Sequence, residues 1–308
     1  MKLVISQALP PATIADGLFE PLATRYPKLA HLFNARHAET EDWSLQRHGC
    51  TPDEAIELES VGYSAPSGQP IGAGLGPWQA KVVSPVMRVW IAEICSTVLS
   101  QERATVLPLK LIQATAPEIQ ALEHSARPLF DDHGDGIRIA PMGNGLWQVH
   151  AEFAQTDHTI SPMALIGQDL GDWWPTADVW RLWRKRVNEI QMAWHDHPVN
   201  QAREHKGLPA INGIWLYGGG NGFTPVPSLG YQWIDHLSEA AWRGNWSEWL
   251  DAWVQIEPIL MNAAAQQAII LTGQDRIVRL VNAPSRWWRN LFARGQQDAW
   301  RNWWLNRN

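Results

Sequence analysis

The sequence predicts an α/β (or α+β) protein: a mixed sheet covered by helices, with a Trp-rich helical C-terminal half. Three observations predict it. Short apolar runs of strand length, such as Met1–Ala8 and Ile211–Tyr217, alternate with longer stretches patterned at helical spacing. Hydrophobic residues make up 45% of the 308 and charged residues 18%, which suits a globular chain and argues against disorder. Tryptophan is concentrated, with 16 of the 20 copies lying from Trp173 onward. Trp242, Trp246, Trp249 and Trp253 recur at helical steps, as do Trp180, Trp183, Val187, Ile190 and Trp194. Such stripes normally face a core.

In chain order, Met1–Ala8 reads as a strand closed by Pro10-Pro11, and Pro27–His37 as a short helix. Thr51-Pro52-Asp53-Glu54 starts a helix running to Ser60: Thr51 can cap, Pro52 suits the first position, and Glu54 can complete a capping box. Ser64–Pro77 is rich in Gly, Pro and Ser and reads as a loop. Trp78–Val83, Met87–Ile91 and Thr105–Ile112 read as strands, and Pro117–Leu129 as a helix. Gly136–Ala140 and Leu146–Ala151 pair around the Asn144-Gly145 hairpin signal. Ser161–Pro175 is a loop-rich junction. It divides the expected lobes, 1–160 (α/β) and 161–308 (Trp-rich α/β), unless the two form one continuous domain. Helices follow over Ala177–Trp194 and Pro198–Lys206, then the buried strand Ile211–Tyr217. A long helical region spans Ser238–Gln267 with a kink near Pro258; then come strands Ala268–Leu271 and Arg276–Val281 and a terminal helix over Pro284–Asn306.

Composition excludes several classes. A formal net charge of −6 gives no reason to expect nucleic acid or an anionic membrane as partner. The one basic cluster, Arg181, Arg184, Lys185 and Arg186, reads as the solvated face of a helix. Cys50 and Cys95 sit in no CxxC motif, so neither a disulfide framework nor a zinc knuckle is expected. No window has the apolar length to span a bilayer, and the start is too short for a signal peptide, so a cytoplasmic location is expected.

Candidate chemistry gathers between Asn188 and Gly220. At the corner His195-Asp196-His197-Pro198, Pro198 ends one helix and opens the next. If the corner is extended, His195 and His197 converge and could hold a metal or phosphate or exchange a proton; otherwise the corner is structural. Asn188, Gln191 and His195 form one polar stripe, which is either a site wall or a wet helix face. Asn200 and Arg203 on the second helix are candidate ligand-binding residues. The strand Ile214–Tyr217 runs into Gly218, Gly219 and Gly220, whose amides could approach an anion, or whose loop simply needs positive φ. Asp131-Asp132-His133-Gly134-Asp135 reads as a polar turn.

The block NEIQMAWHDHPVNQAREHKGLPAINGIWLYGGG, Asn188–Gly220, resembles the core of a proteobacterial family, the regulatory protein of pathogenicity factors type E, also described as cofactor-independent phosphoglycerate mutase-like. Pro162–Pro175 and Asp178–Arg186 resemble the segments leading into it. The resemblance implies a regulatory or ligand-binding protein, with the Trp-rich C-terminal helices meeting a protein partner. Its alternative implication is an enzyme acting on a small anionic, phosphorylated metabolite. Mutases of that kind use two divalent metals, with a first ligand motif after the first strand. Here that place holds Ser6-Gln7-Ala8-Leu9-Pro10-Pro11 and no Asp-Gly element. No cofactor is specified, and a divalent metal has no ligand motif behind it.

Overall fold

A computed structural model describes residues 2–99, 103–130, 136–151, 159–227, 230–263, 268–282 and 299–306. Its strands in chain order are β1 (Lys2–Ile5), β2 (Arg36–Asp42), β3 (Arg88–Leu99), β4 (Ala104–Pro108), β5 (Arg138–Pro141), β6 (Leu146–His150), β7 (Gly213–Asn221), β8 (Tyr231–Ile234), β9 (Ala268–Thr272) and β10 (Arg276–Asn282). They form two sheets, and the helices among them complete the mixed α/β class that the alternating patterns predict.

The chain divides into two compact units, one built from residues 1–44 and 227–308, the other from 45–226. The division expected after residue 160 therefore falls inside the second unit. A linear reading looks for one cut, whereas here a whole unit sits between two pieces of the other.

The discontinuous unit is a mixed sheet in the order β2-β10-β9-β1-β8. Strand β1 is its fourth member, parallel to both β8 and β9, while β10 runs antiparallel to β9 and to β2. Leu3, Val4 and Ile5 of β1 are fully buried, as a parallel strand covered on both faces requires. The helix Ala12–Arg25 was not apparent from the pattern, because Pro21 interrupts it; its buried residues Ala15, Phe19 and Leu22 keep helical steps of 4 and 3. Phe19 stacks on Trp300 at 4.2 Å, and Trp249, Trp253 and Trp304 are fully buried in the same core. The Trp stripe thus packs inward, on a helix Trp246–Ala263 that contains Pro258 and is separated from a short helix Ser238–Trp242. Arg276, wholly buried, pairs with Asp275 at 2.5 Å and donates to the carbonyls of Pro10 and Trp304. Of the terminal helix expected from Pro284, Arg301–Trp304 is helical, and most of the remainder, residues 283–298, lies outside the described residues.

The continuous unit is an antiparallel sheet centred on β3, which pairs with β4, β6 and β7. Strand β5 pairs with β6 across the Asn-Gly turn read from the sequence. One face, with Trp90, Ala92, Ile94, Ile214 and Leu216, packs against Val187, Ile190 and Trp194 of the helix Arg181–His195. Arg186 of that helix is buried and pairs with Glu189, so the basic cluster is not wholly solvated. Trp78–Val83 is not a strand: Leu75–Gln79 is helical, preceded by a 3-10 turn Ile71–Gly74 in place of the expected loop. The glycines permit this packing, since a Cβ on Gly76 would lie 2.1 Å from the Val89 carbonyl oxygen.

Candidate functional site

The predicted site residues do not assemble around one point. His195 ends its helix fully in solvent, its side chain 83% exposed, with Nε2 3.9 Å from Asp196 Oδ1. His197 caps the next helix, Pro198–His205, where its Nδ1 accepts from the Val199 amide at 3.2 Å. Burial pushes the His197 imidazole below its usual pKa, consistent with that acceptor role. The corner is a helix junction, built as the Pro198 reading requires.

Asn200 and Arg203 were expected to bind ligand, and the structure assigns their polar atoms to the chain itself. Asn200 Nδ2 donates to the carbonyls of Trp194 and Ile211 at 2.8 Å, and its Oδ1 accepts from the Ile211 amide at 2.8 Å. The wholly buried Arg203 donates to the carbonyls of Pro209 and Ile112 and to Glu118 Oε2 at 3.1 Å. Both side chains fasten the helix Pro198–His205 to its neighbours.

Gly218, Gly219 and Gly220 are strand residues of β7, at a register shift opposite Val89 and Trp90. Gly218 and Gly219 have φ of +86° and +84°. No room is left for a side chain: a Cβ would meet the Gly76 amide nitrogen at 2.6 Å from Gly218, Trp90 Cζ2 at 2.5 Å from Gly219, and the Ala73 carbonyl oxygen at 2.5 Å from Gly220. These glycines serve close packing. Replacing Gly219 with Ala is expected to cost about 2–4 kcal/mol, the sum of backbone strain and a displaced indole. Gly17→Ala, inside the helix Ala12–Arg25 where a Cβ meets nothing within 4 Å, should instead stabilise by about 0.5–1 kcal/mol. Urea unfolding of the two variants measures the difference.

Asn188 and Gln191 have a different setting. They line a cleft of about 510 Å³ along β7, at the end remote from the three glycines. Asn212, Gly213, Ile214 and Trp215 form its floor. Val187, Asn188 and Gln191 make one wall, and Leu170, Gly171, Trp174 and Thr176 the other. Asn212 closes one end by pairing with Thr97, accepting from its amide at 2.7 Å and donating to its carbonyl at 2.9 Å. No Lys, Arg, His, Asp or Glu lines the cleft among the described residues. Cys95 does, and burial pushes its thiol far up, so it supplies no thiolate.

A second feature had a sequence signal that went unused, the lone carboxylate Glu93 in the apolar run RVWIAEICSTVL. Glu93 accepts from the Leu109 amide at 2.9 Å and lies 3.1 Å from the Tyr217 hydroxyl, which donates to Gln79 Oε1 at 2.6 Å. The hydroxyl thus points between two acceptors, Gln79 Oε1 and Glu93 Oε2. Glu54, on the helix Pro52–Ser60, accepts from the Thr51 amide and hydroxyl and from Ser161 Oγ at 2.5 Å. Desolvation raises both carboxyls to about 7. Hydrogen bonds to Glu54 and Glu93 oppose the rise, and their negative neighbours add to it.

Among the described residues there is no group of three or more His, Cys, Asp or Glu able to hold a metal. The turn after β1 is closed by Trp249 Nε1, which donates to the Gln7 carbonyl at 2.8 Å. The Asp131–Asp135 turn lies outside the described residues. No described helix is long and apolar enough to cross a membrane.

No family model matches the chain, and no curated protein matches it. Among solved structures it is similar to a cofactor-independent phosphoglycerate mutase from Thermoplasma acidophilum DSM 1728, at 12% identity over 91% of this chain and 89% of that one, with a TM-score of 0.33. It is also similar to the PH0037 protein from Pyrococcus horikoshii, at 12% identity over 91% and 86% of the two chains, with a TM-score of 0.41. Mutase-like structures are thus among its neighbours, while nothing found supports the type E regulatory family. Likenesses of this size carry no reaction over to the chain.

Proposed function

We propose that the chain is a ligand-binding protein and that its ligand is an uncharged organic molecule seated in the cleft along β7. The observation that carries this is the lining: three carboxamides, Asn188, Gln191 and Asn212, two indoles, Trp174 and Trp215, and no ionised group among the described residues. A concave, mostly apolar site with a few convergent polar groups is the usual form of a small-molecule pocket. A phosphorylated metabolite would enter without a counter-charge, which disfavours it here. Among the described residues the lining holds no side chain poised for acid–base work, which supports reading the cleft as a binding site.

The test is a compound set balanced between uncharged and anionic members, read by thermal shift and by the fluorescence of Trp174 and Trp215. Uncharged members should bind. The double variant Asn188→Ala/Gln191→Ala, altered only at exposed and half-buried positions, should stay folded and bind them about 10- to 100-fold more weakly, as loss of one or two hydrogen bonds predicts. Preferential binding of the anionic members would sink the proposal.

A further inference from the structure

Among the described residues strand β7 pairs with β3 alone, and the hydrogen-bond directions along that pair can be read from the neighbouring bonds. The Ile94 amide donates to the Gly145 carbonyl, on the β6 side of β3. The carbonyls of Cys95 and Met87 accept from the Asn212 and Gly222 amides, on the β7 side. Odd-numbered residues of β3 therefore face β7, so Gly213 and Trp215, opposite Cys95 and Glu93, bond to β3. Ile214, opposite Ile94, turns both its N–H and its C=O away from the sheet, toward the outer edge. Ile214 is 2% exposed and lines the cleft, and neither main-chain group has a hydrogen-bond partner among the described residues. A donor and an acceptor left unpaired on a buried residue are uncommon in a native chain, and their exposure to a cleft implies a ligand that pairs with them.

We infer that the cleft binds a short, uncharged peptide in extended form, added as a strand to the edge of β7 that lines the cleft. This rests on the reading of the cleft as the ligand site and names its ligand class. The N–H and C=O of one strand residue are matched by the C=O and N–H of one residue in a neighbouring strand, an arrangement that any peptide supplies. The cleft floor Gly213–Trp215 spans roughly 10 Å at strand rise, enough for about three residues. Asn188 and Gln191 can meet the flanking peptide groups, and Trp174 and Trp215 offer apolar surface to the side chains. With no ionised group lining the cleft among the described residues, charged side chains in the bound stretch would go unpaired.

The experiment uses the full chain and three probes: acetyl-Ala-Val-Ala-amide, its depsipeptide with the valine N–H replaced by an ester oxygen, and an uncharged non-peptide aromatic amide. Binding is followed by calorimetry, and the Ile214 amide by NMR hydrogen exchange. The peptide should bind, the depsipeptide at least 10-fold more weakly, and Ile214 exchange should slow at least 10-fold on peptide binding. Equal binding of peptide and depsipeptide, or an unprotected Ile214 amide in the complex, overturns edge pairing. Binding of the aromatic amide but not of the peptide overturns this inference and leaves the uncharged-ligand reading intact. No binding of any uncharged probe removes both.

Discussion

Arg203→Met is expected to destabilise the unit 45–226 by about 3–5 kcal/mol, the range seen when one partner of a buried charge pair is removed. The guanidinium is wholly buried and satisfies three groups in different directions: the Pro209 carbonyl, the Ile112 carbonyl and Glu118. Methionine can fill the volume and cannot donate to any of them. Arg203→Lys should recover little, because a single ammonium cannot reach three divergent acceptors. Adding Glu118→Gln to Arg203→Met should return only a small part of the loss. Glu118 keeps its bonds to Thr115, and the two orphaned carbonyls dominate the cost. Chemical denaturation of the three variants measures these differences. A folded Arg203→Met protein of parental stability that has lost ligand would instead restore the binding role expected from the sequence.

The second large effect is a loss of stability as pH rises. Glu54 and Glu93 have pKa values raised from 4.5 to about 7 in the folded chain. In both cases burial is the largest cause. The folded state therefore holds more protons than the unfolded state between those values, and stability falls with increasing pH across that window. The contribution is fully present below about pH 4.5 and is lost as pH passes 7. Each carboxyl corresponds to roughly 3–4 kcal/mol, at about 1.4 kcal/mol per unit. Glu93→Gln is the diagnostic change. An amide keeps an oxygen for the Leu109 amide and, like the protonated acid, carries no charge to desolvate. The variant should match the parent near pH 5 and exceed it near pH 8. Unfolding midpoints measured from pH 4.5 to 8.5 test this, and a parental slope retained in the variant would contradict it.

What the sequence disclosed and what it withheld divide along a physical line. Local devices were readable. The Thr51–Glu54 capping box is formed with both reciprocal bonds, Pro198 opens its helix, and the Asn144-Gly145 turn joins β5 to β6. The Trp stripes pointed at a core, and Trp249 and Trp253 are in it. Strand β2 was hidden because RHAETED is polar throughout; it is a mostly exposed edge whose pairing with β10 provides its order. The candidate site was half visible. Asn188 and Gln191 do line the cleft, but its other wall and floor come from segments near residues 97, 174 and 214, which only the fold brings together. Asn200, Arg203 and the three glycines show the converse. Polar or glycine-rich residues close in sequence to a site can be consumed by packing, and composition does not distinguish the two uses.

The position of β1 also has a consequence for how the chain is made. Lys2 stands beside Tyr231, 229 residues later, and β9 follows later still. During synthesis at roughly 5–20 residues per second, this early apolar strand would wait on the order of ten to forty seconds for either neighbour. The nested unit emerges whole in the meantime and can complete its own sheet. The newborn chain should therefore pass through a stage with one finished body and one exposed, unmatched strand. At that stage a holdase that masks short apolar segments would raise the yield most, and a ribosome-stalled chain ending near residue 235 would be the species to capture.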